Sequence, residues 1–323
     1  MNLSDHLHWI DATVSRRATP PVTLASGVAP EVTGIARARE LLKLHLRALP
    51  HRAATRRWLT LLNSHPVFSE LVRQRPSIVN KIYRPYLTAT LNVEQRLAVL
   101  AAHYGFMFSR GLAALLAQAS RSGFLLARIP GKTGIAYEVQ LRAAGTCERE
   151  GELVLQLHCA GAVVYSTAFT FEAADGVARV TIGCLQGPRG DDAMGAIKQA
   201  TRELHGLRAK ALLVGLVQQL GYALGCTELR LVGNGNRTAG RAIGRGHVRA
   251  NYEQLWQELG ACPRADGDFS LPCAPLAPLA LELVAQKRRS EARKRHQMLQ
   301  DVSDDVIDQF TGRGRPALAL LAA

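Results

Sequence analysis

TRELHGLRAKALLVGLVQQLG, residues 201–221, places a cationic turn containing glycine in front of a strongly apolar helix. A helix that only fills a core has no need of such an entrance. The first backbone N–H groups of a helix lack intrahelical partners and carry partial positive charge, so anions settle there. Gly206 would let a phosphate approach the backbone, Arg208 would add a two-pronged contact and Lys210 a point charge. His205, Gly206, Arg208 and Lys210 therefore form a candidate phosphate cradle. A plainer reading is also open, in which Gly206 separates two helices and the cations are solvated.

What surrounds this stretch sets the fold class. Upstream, FLLARIPG, IAYEVQLRAAG, GELVLQLHCAG, AVVYSTAFTFEA and VARVTIGCLQG are short alternating or apolar runs separated by glycine-bearing turns, and they read as consecutive antiparallel strands. Downstream, TELRLVG reads as a buried strand, followed by a Gly- and Arg-rich loop and the helix NYEQLWQELG. Ahead of residue 124 the spacing is helical. IARARELLKLHLRALP, AATRRWLTLLNSH, VEQRLAVLAAHYGFMF and GLAALLAQAS predict helices, the second ending at a turn at His65 and Pro66. The expected class is α+β: a helical N-terminal layer, then a mixed, mostly antiparallel sheet with flanking helices. The expected division is 1–34 as N-terminal segment and linker, 35–123 helical, 124–270 the sheet region, and 271–323 a basic C-terminal helix with a frayed tail.

The chain has 323 residues with 40 Lys and Arg against 26 Asp and Glu, a net charge of +14, which favours acidic partners without choosing among them. Residues 286–296, QKRRSEARKRH, hold six cations against Glu291 and could meet anionic lipid or RNA. No nucleic-acid motif or stacking aromatics accompany them, so nucleic acid is the weaker partner. Six cysteines without a CxxC pair, and no His at ligand spacing, indicate neither a metal site nor a disulfide framework. The N-terminus lacks an unbroken apolar stretch and no run of about 20 apolar residues follows, so a cytoplasmic location is expected, with contact at the inner membrane as an extension.

RPYL (84–87), HYGFM (103–107), EREGELVLQL (148–157), TIGCLQGP (181–188), TRELHGLRAKALL (201–213), NYEQLWQELGA (251–261) and QKRRSEARKR (286–295) together resemble the VirK/YbjX family of bacterial proteins. The likeness runs from about residue 40 to 300. It implies a link to virulence and antimicrobial-peptide tolerance in Gram-negative bacteria and names no reaction. The order of elements, an antiparallel meander, a glycine turn, an apolar helix, a buried strand and a helix with Tyr, is similar to GNAT-type acyltransferases. There the pattern is Gln or Arg, two residues, Gly, one residue, Gly or Ala. Here Glu203 and Arg208 occupy its first and last places.

That second resemblance implies transfer of an acyl group from acyl-coenzyme A or an acyl-carrier-protein thioester to an amine on a small molecule or peptide, with no permanently bound cofactor. Such a reaction needs a base for the amine and an acid for the departing thiolate. Glu150 and Glu152, spaced to share a strand face, are candidate bases, Glu152 first. Tyr252 matches the family's acid by position. Gln186 and Gly187 in LQGP are candidate cofactor contacts, and Asn234, Asn236, Arg237 and Trp256 candidate substrate contacts near the carboxyl end of the last strand. His103 and His158 read as structural. The competing readings are a non-enzymatic envelope factor on anionic lipid and an RNA-binding protein.

Overall fold

The computed structural model describes residues 20–238 and 251–313, apart from 144, 146, 175, 189 and 191. The first 19 residues, the Gly- and Arg-rich loop at 239–250 and the tail from 314 lie outside the described residues. The helical layer comprises α1 (Gly34–Ala48), α2 (Arg52–Leu62), α3 (Pro66–Gln74), α4 (Val93–Ser109) and α5 (Ala113–Arg121), with a 3-10 segment at Pro76–Tyr83. Asn92 starts α4 with a reciprocal cap: its carboxamide accepts from Gln95 N–H at 3.0 Å while Gln95 accepts from Asn92 N–H at 2.9 Å. Pro66, expected as a turn, is instead the first residue of α3, a position where its missing N–H costs nothing.

The expected meander is present as β1 (Phe124–Pro130), β2 (Ala136–Ala143), β3 (Leu153–Cys159), β4 (Ala162–Ala174) and β5 (Val177–Gln186), each antiparallel to the next. Then come α6 (Ala193–Glu203), α7 (Ala209–Ala223) and β6 (Glu228–Leu231), which pairs with β5 in parallel. After α8 (Tyr252–Glu258), two short strands, β7 (Cys262–Pro263) and β8 (Phe269–Pro272), extend the sheet in the order β1-β2-β3-β4-β5-β6-β8-β7. The chain is thus α+β, with a helical front and a mostly antiparallel sheet. The C-terminal helix α9 spans Arg289–Thr311; residues 281–283 and 286–288, expected inside it, form separate 3-10 turns.

One hydrophobic cluster runs from Val22 through Trp58, Phe171, Leu213 and Trp256 to Phe310. Phe171 of β4 is its crossroads, stacking on Phe106 of α4 at 4.8 Å and meeting Phe310 of α9 edge-on at 6.2 Å. Val22 and Val28 are buried, so the stretch expected as linker is anchored at both points. The apolar residues of α1 divide differently from the expectation. Leu44 faces the core, whereas Ile35, Leu42 and Leu46 are exposed.

Candidate functional site

The opening stretch folds as a break between two helices. His205 (φ +52°) and Gly206 (φ +79°) are both left-handed, and Gly206 N–H closes α6 on Thr201 O at 2.8 Å. Gly206 is exposed, and α7 begins after Arg208 without a side-chain cap. Arg208 lies 2.5 Å from Glu258 of α8. Lys210 is half-buried, its pKa lowered by desolvation and by Arg208, with Glu258 opposing. His205 departs from the expected cradle: its Nδ1 is 3.2 Å from Glu291 of α9, so it faces a different neighbour from Arg208. Glu203 is also committed, accepting from Thr133 N–H and hydroxyl at 2.9 and 2.8 Å.

β5 and β6 register from Arg179 with Glu228 to Ile182 with Leu231, and Val232 N–H adds a last bond to Ile182 O at 3.1 Å. Past that point, from Gly183 to Gln186, β5 stays paired with β4 on one edge and has no strand on the other. Tyr252 enters the gap. Its hydroxyl donates to Leu185 O at 2.6 Å and accepts from Leu185 N–H at 2.9 Å, doing for that residue what a neighbouring strand would have done. The hydroxyl is also 3.6 Å from Cys184 Sγ, and the Arg237 guanidinium covers the ring at 3.8 Å from its centroid. Burial, reinforced by Cys184, pushes the Tyr252 pKa well above its ordinary value, so the phenol stays protonated at neutral pH.

Around the gap stand residues the sequence did not single out. Cys147 Sγ donates to Gln186 Oε1 at 3.4 Å, and Cys147 with burial drives the Cys184 pKa strongly upward. Thr238 Oγ1 donates to Glu150 Oε1 at 2.6 Å. Gly183 permits this crowding, because a Cβ there would lie 2.1 Å from Glu150 O. Glu150, Gln186, Arg237 and Tyr252 are therefore brought together, while Gly187 lies just beyond, against the Tyr165 ring. TIGCLQGP held the signal for Cys184; nothing local pointed to Cys147 or Thr238.

Four of the expected site residues are engaged within the fold. Glu152 is not beside Glu150: both precede β3, and Glu152 is fully enclosed, ion-paired with Lys81 and accepting from Tyr104 Oη at 2.5 Å. Desolvation alone would raise its pKa; the charges of Lys81 and His103 and the bonds from Lys81 and Tyr104 outweigh that and leave it lowered. Trp256 is completely buried and donates to Val232 O at 3.1 Å, leaving no surface for a substrate. Asn234 and Asn236 act as braces: Asn234 accepts from Tyr252 N–H at 3.0 Å, and Asn236 donates to Asp268 at 2.7 Å. No group of three or more His, Cys, Asp or Glu among the described residues is placed to hold a metal. No single described helix is long and apolar enough to cross a membrane.

A family model described as "Protein of unknown function (DUF535)" matches residues 33–308. The chain belongs to the DUF535 family. The Escherichia coli (strain K12) relative "Uncharacterized protein YbjX" is 26% identical over 278 residues, covering 84% of this chain and 83% of its own, which accords with the VirK/YbjX blocks. An uncharacterized Haemophilus influenzae protein is 34% identical over 145 residues, 44% of this chain and 47% of that one. Among solved structures, a cAMP-binding acyltransferase from Mycobacterium smegmatis aligns at 13% identity with a TM-score of 0.29, covering 66% of this chain and 63% of that one, just under two thirds of its length. For the DUF535 chain, then, sequence carries the kinship, and its own geometry must carry any reaction.

Proposed function

We propose that this protein transfers an acyl group from a phosphopantetheine thioester, on coenzyme A or an acyl carrier protein, to an amine. One observation carries the reading: the β5–β6 parallel pair separates after Ile182, and the second of the two helices between them, α7, which runs back to the start of β6, opens with Arg208 and Lys210. A crossover of this kind places a helix N-terminus beside the ends of two parallel strands, the arrangement that receives phosphorylated ligands in α/β proteins. Tyr252 and Glu258 bound α8 and are about 9 Å apart along its axis, so one short helix touches both the strand gap and the cationic turn.

In this reading the donor's phosphate takes Arg208 from Glu258 and its thioester lies along the free stretch of β5, which requires Arg237 to leave the Tyr252 ring. Glu150 accepts a proton from the amine as nitrogen attacks the carbonyl carbon. The C–N bond forms, the C–S bond breaks, and the Tyr252 phenol, turning its proton away from Leu185 O, protonates the departing thiolate. Cys184 remains a thiol because its contact with Cys147 and its burial oppose ionisation, which favours direct transfer over an acyl-cysteine.

The test joins thermal denaturation with native mass spectrometry and thiol release. Acyl-coenzyme A or an acylated carrier protein should raise the melting temperature, and Arg208→Ala should remove that rise. Tyr252→Phe should keep binding and lower thiol release on the order of a hundredfold. Absence of any thermal or mass shift with either donor would exclude the reading.

A further inference from the structure

A second surface, independent of the strand gap, lies on α1 and the cavity beside it. Ile35, Leu42, Leu46 and Leu49 are 89%, 61%, 59% and 53% exposed. At 3.6 residues per turn they fall within a wedge of about 60°, directly opposite the buried Leu44. Arg39, Lys43 and Arg47 follow one another at four-residue intervals along one flank of that wedge. Past Arg47, on the core-facing side of α1 with Leu44, is a cavity of about 520 Å³ whose lining includes Arg47, Arg75, Arg84, Ser77 and Asn80. Among the described residues none of its three guanidiniums makes a close ion pair, although Arg47 acts on the Glu40 carboxyl from a distance. The one acid in the lining, Glu40, is already paired with Lys43 at 2.7 Å. Arg75 is half-buried and its pKa is lowered chiefly by desolvation, although Glu148 stands close enough to oppose this; Glu148 itself accepts from Ser77 at 2.6 Å.

We propose that this face of α1 docks on an anionic phospholipid bilayer, its leucines among the upper acyl chains and the headgroup phosphates met by Arg39, Lys43 and Arg47 along its flank. An exposed apolar stripe alone would fit any apolar partner. The row of cations Arg39, Lys43 and Arg47 alongside it chooses a surface that is apolar within and phosphorylated at its margin. The segment 287–295, the site expected from sequence for such contact, is partly engaged elsewhere, since Glu291 ties its helix to Lys132 and His205.

Co-sedimentation with vesicles tests this on the full chain. Wild type should bind mixed phosphatidylcholine and phosphatidylglycerol vesicles in preference to pure phosphatidylcholine. Leu42→Ser with Leu46→Ser, both on the surface, should weaken binding to the mixed vesicles by roughly tenfold or more. Arg39→Gln with Arg47→Gln should reduce the preference for anionic vesicles by about fivefold per cation, while neutralising 287–295 should leave most binding in place. Three results would overturn the assignment: vesicle binding indifferent to both double variants; a leucine-dependent dimer by light scattering, which makes the stripe a contact between copies; or tight binding of soluble glycerol phosphate that ignores Leu42 and Leu46, which makes the cavity a site for a free phosphate ester.

Discussion

His103 is enclosed between α4 and β4, with Nδ1 accepting from Phe171 N–H at 3.1 Å and Nε2 lacking a hydrogen-bond partner among the described residues. Burial lowers its pKa to about 4, the nearby Lys81 assisting and Glu152 opposing. An unfolded histidine titrates near 6.5, so between pH 6.5 and 4 the unfolded chain binds more protons than the folded one. Stability is therefore full above pH 6.5, falls as pH drops through that window, and levels off below it, a loss of roughly 3 kcal/mol from this residue. His103→Gln keeps an acceptor for Phe171 and should flatten the slope of urea stability against pH across that window. The neighbouring Lys81–Glu152 pair carries a different expectation. Removing one partner leaves a buried charge, so Glu152→Gln or Lys81→Met should each cost about 3–5 kcal/mol, and the double variant less than either single one. An unfolding double-mutant cycle reads this directly. Sequence offered no sight of the pair, because its members are 71 residues apart and the two-residue spacing of Glu150 and Glu152 suggested a shared face.

At the scale of elements, the end of β5 is completed by a side chain. Without the Tyr252 hydroxyl, the N–H and C=O of Leu185 would both be buried without partners. Tyr252→Phe should therefore lower stability by about 1–3 kcal/mol, read from the urea midpoint, apart from any effect on turnover. If the midpoint does not move, the gap admits water and is more open than its burial indicates. The five-strand meander was legible because alternation and glycine-bearing turns recur five times, each run independently pointing to the same element. α3 was not, since proline punctuates loops and first helical turns alike. β7 and β8 are two and four residues long, too short for a period to declare itself. The turn at 205–208 was read correctly as a helix break, but its side chains diverge: His205 goes to α9 and Arg208 to α8. Such divergence depends on tertiary neighbours rather than on spacing.

For the whole molecule, the question is whether the helical front and the sheet are separable. Composition and period change near residue 124, which made a boundary there natural to expect. The packing crosses it. Lys81 and Tyr104 from the front bond Glu152 before β3, Tyr86 Oη lies 3.1 Å from Thr170 Oγ1 of β4, and α4 packs along β4. Polar groups this deeply enclosed are satisfied only when both parts are assembled, so opening the boundary would strand a carboxylate and an ammonium together. Unfolding should consequently be one cooperative transition. Trp58 in α2 and Trp256 in α8 are each fully buried, one on either side of the boundary. With Trp9 replaced by Phe, single-tryptophan variants retaining Trp58 or Trp256 should give coincident urea midpoints, matching the far-ultraviolet circular dichroism. A Trp58 transition well separated from that of Trp256 would mean the front unfolds by itself, and the Lys81–Glu152 network would then be a docking contact between two independently stable parts.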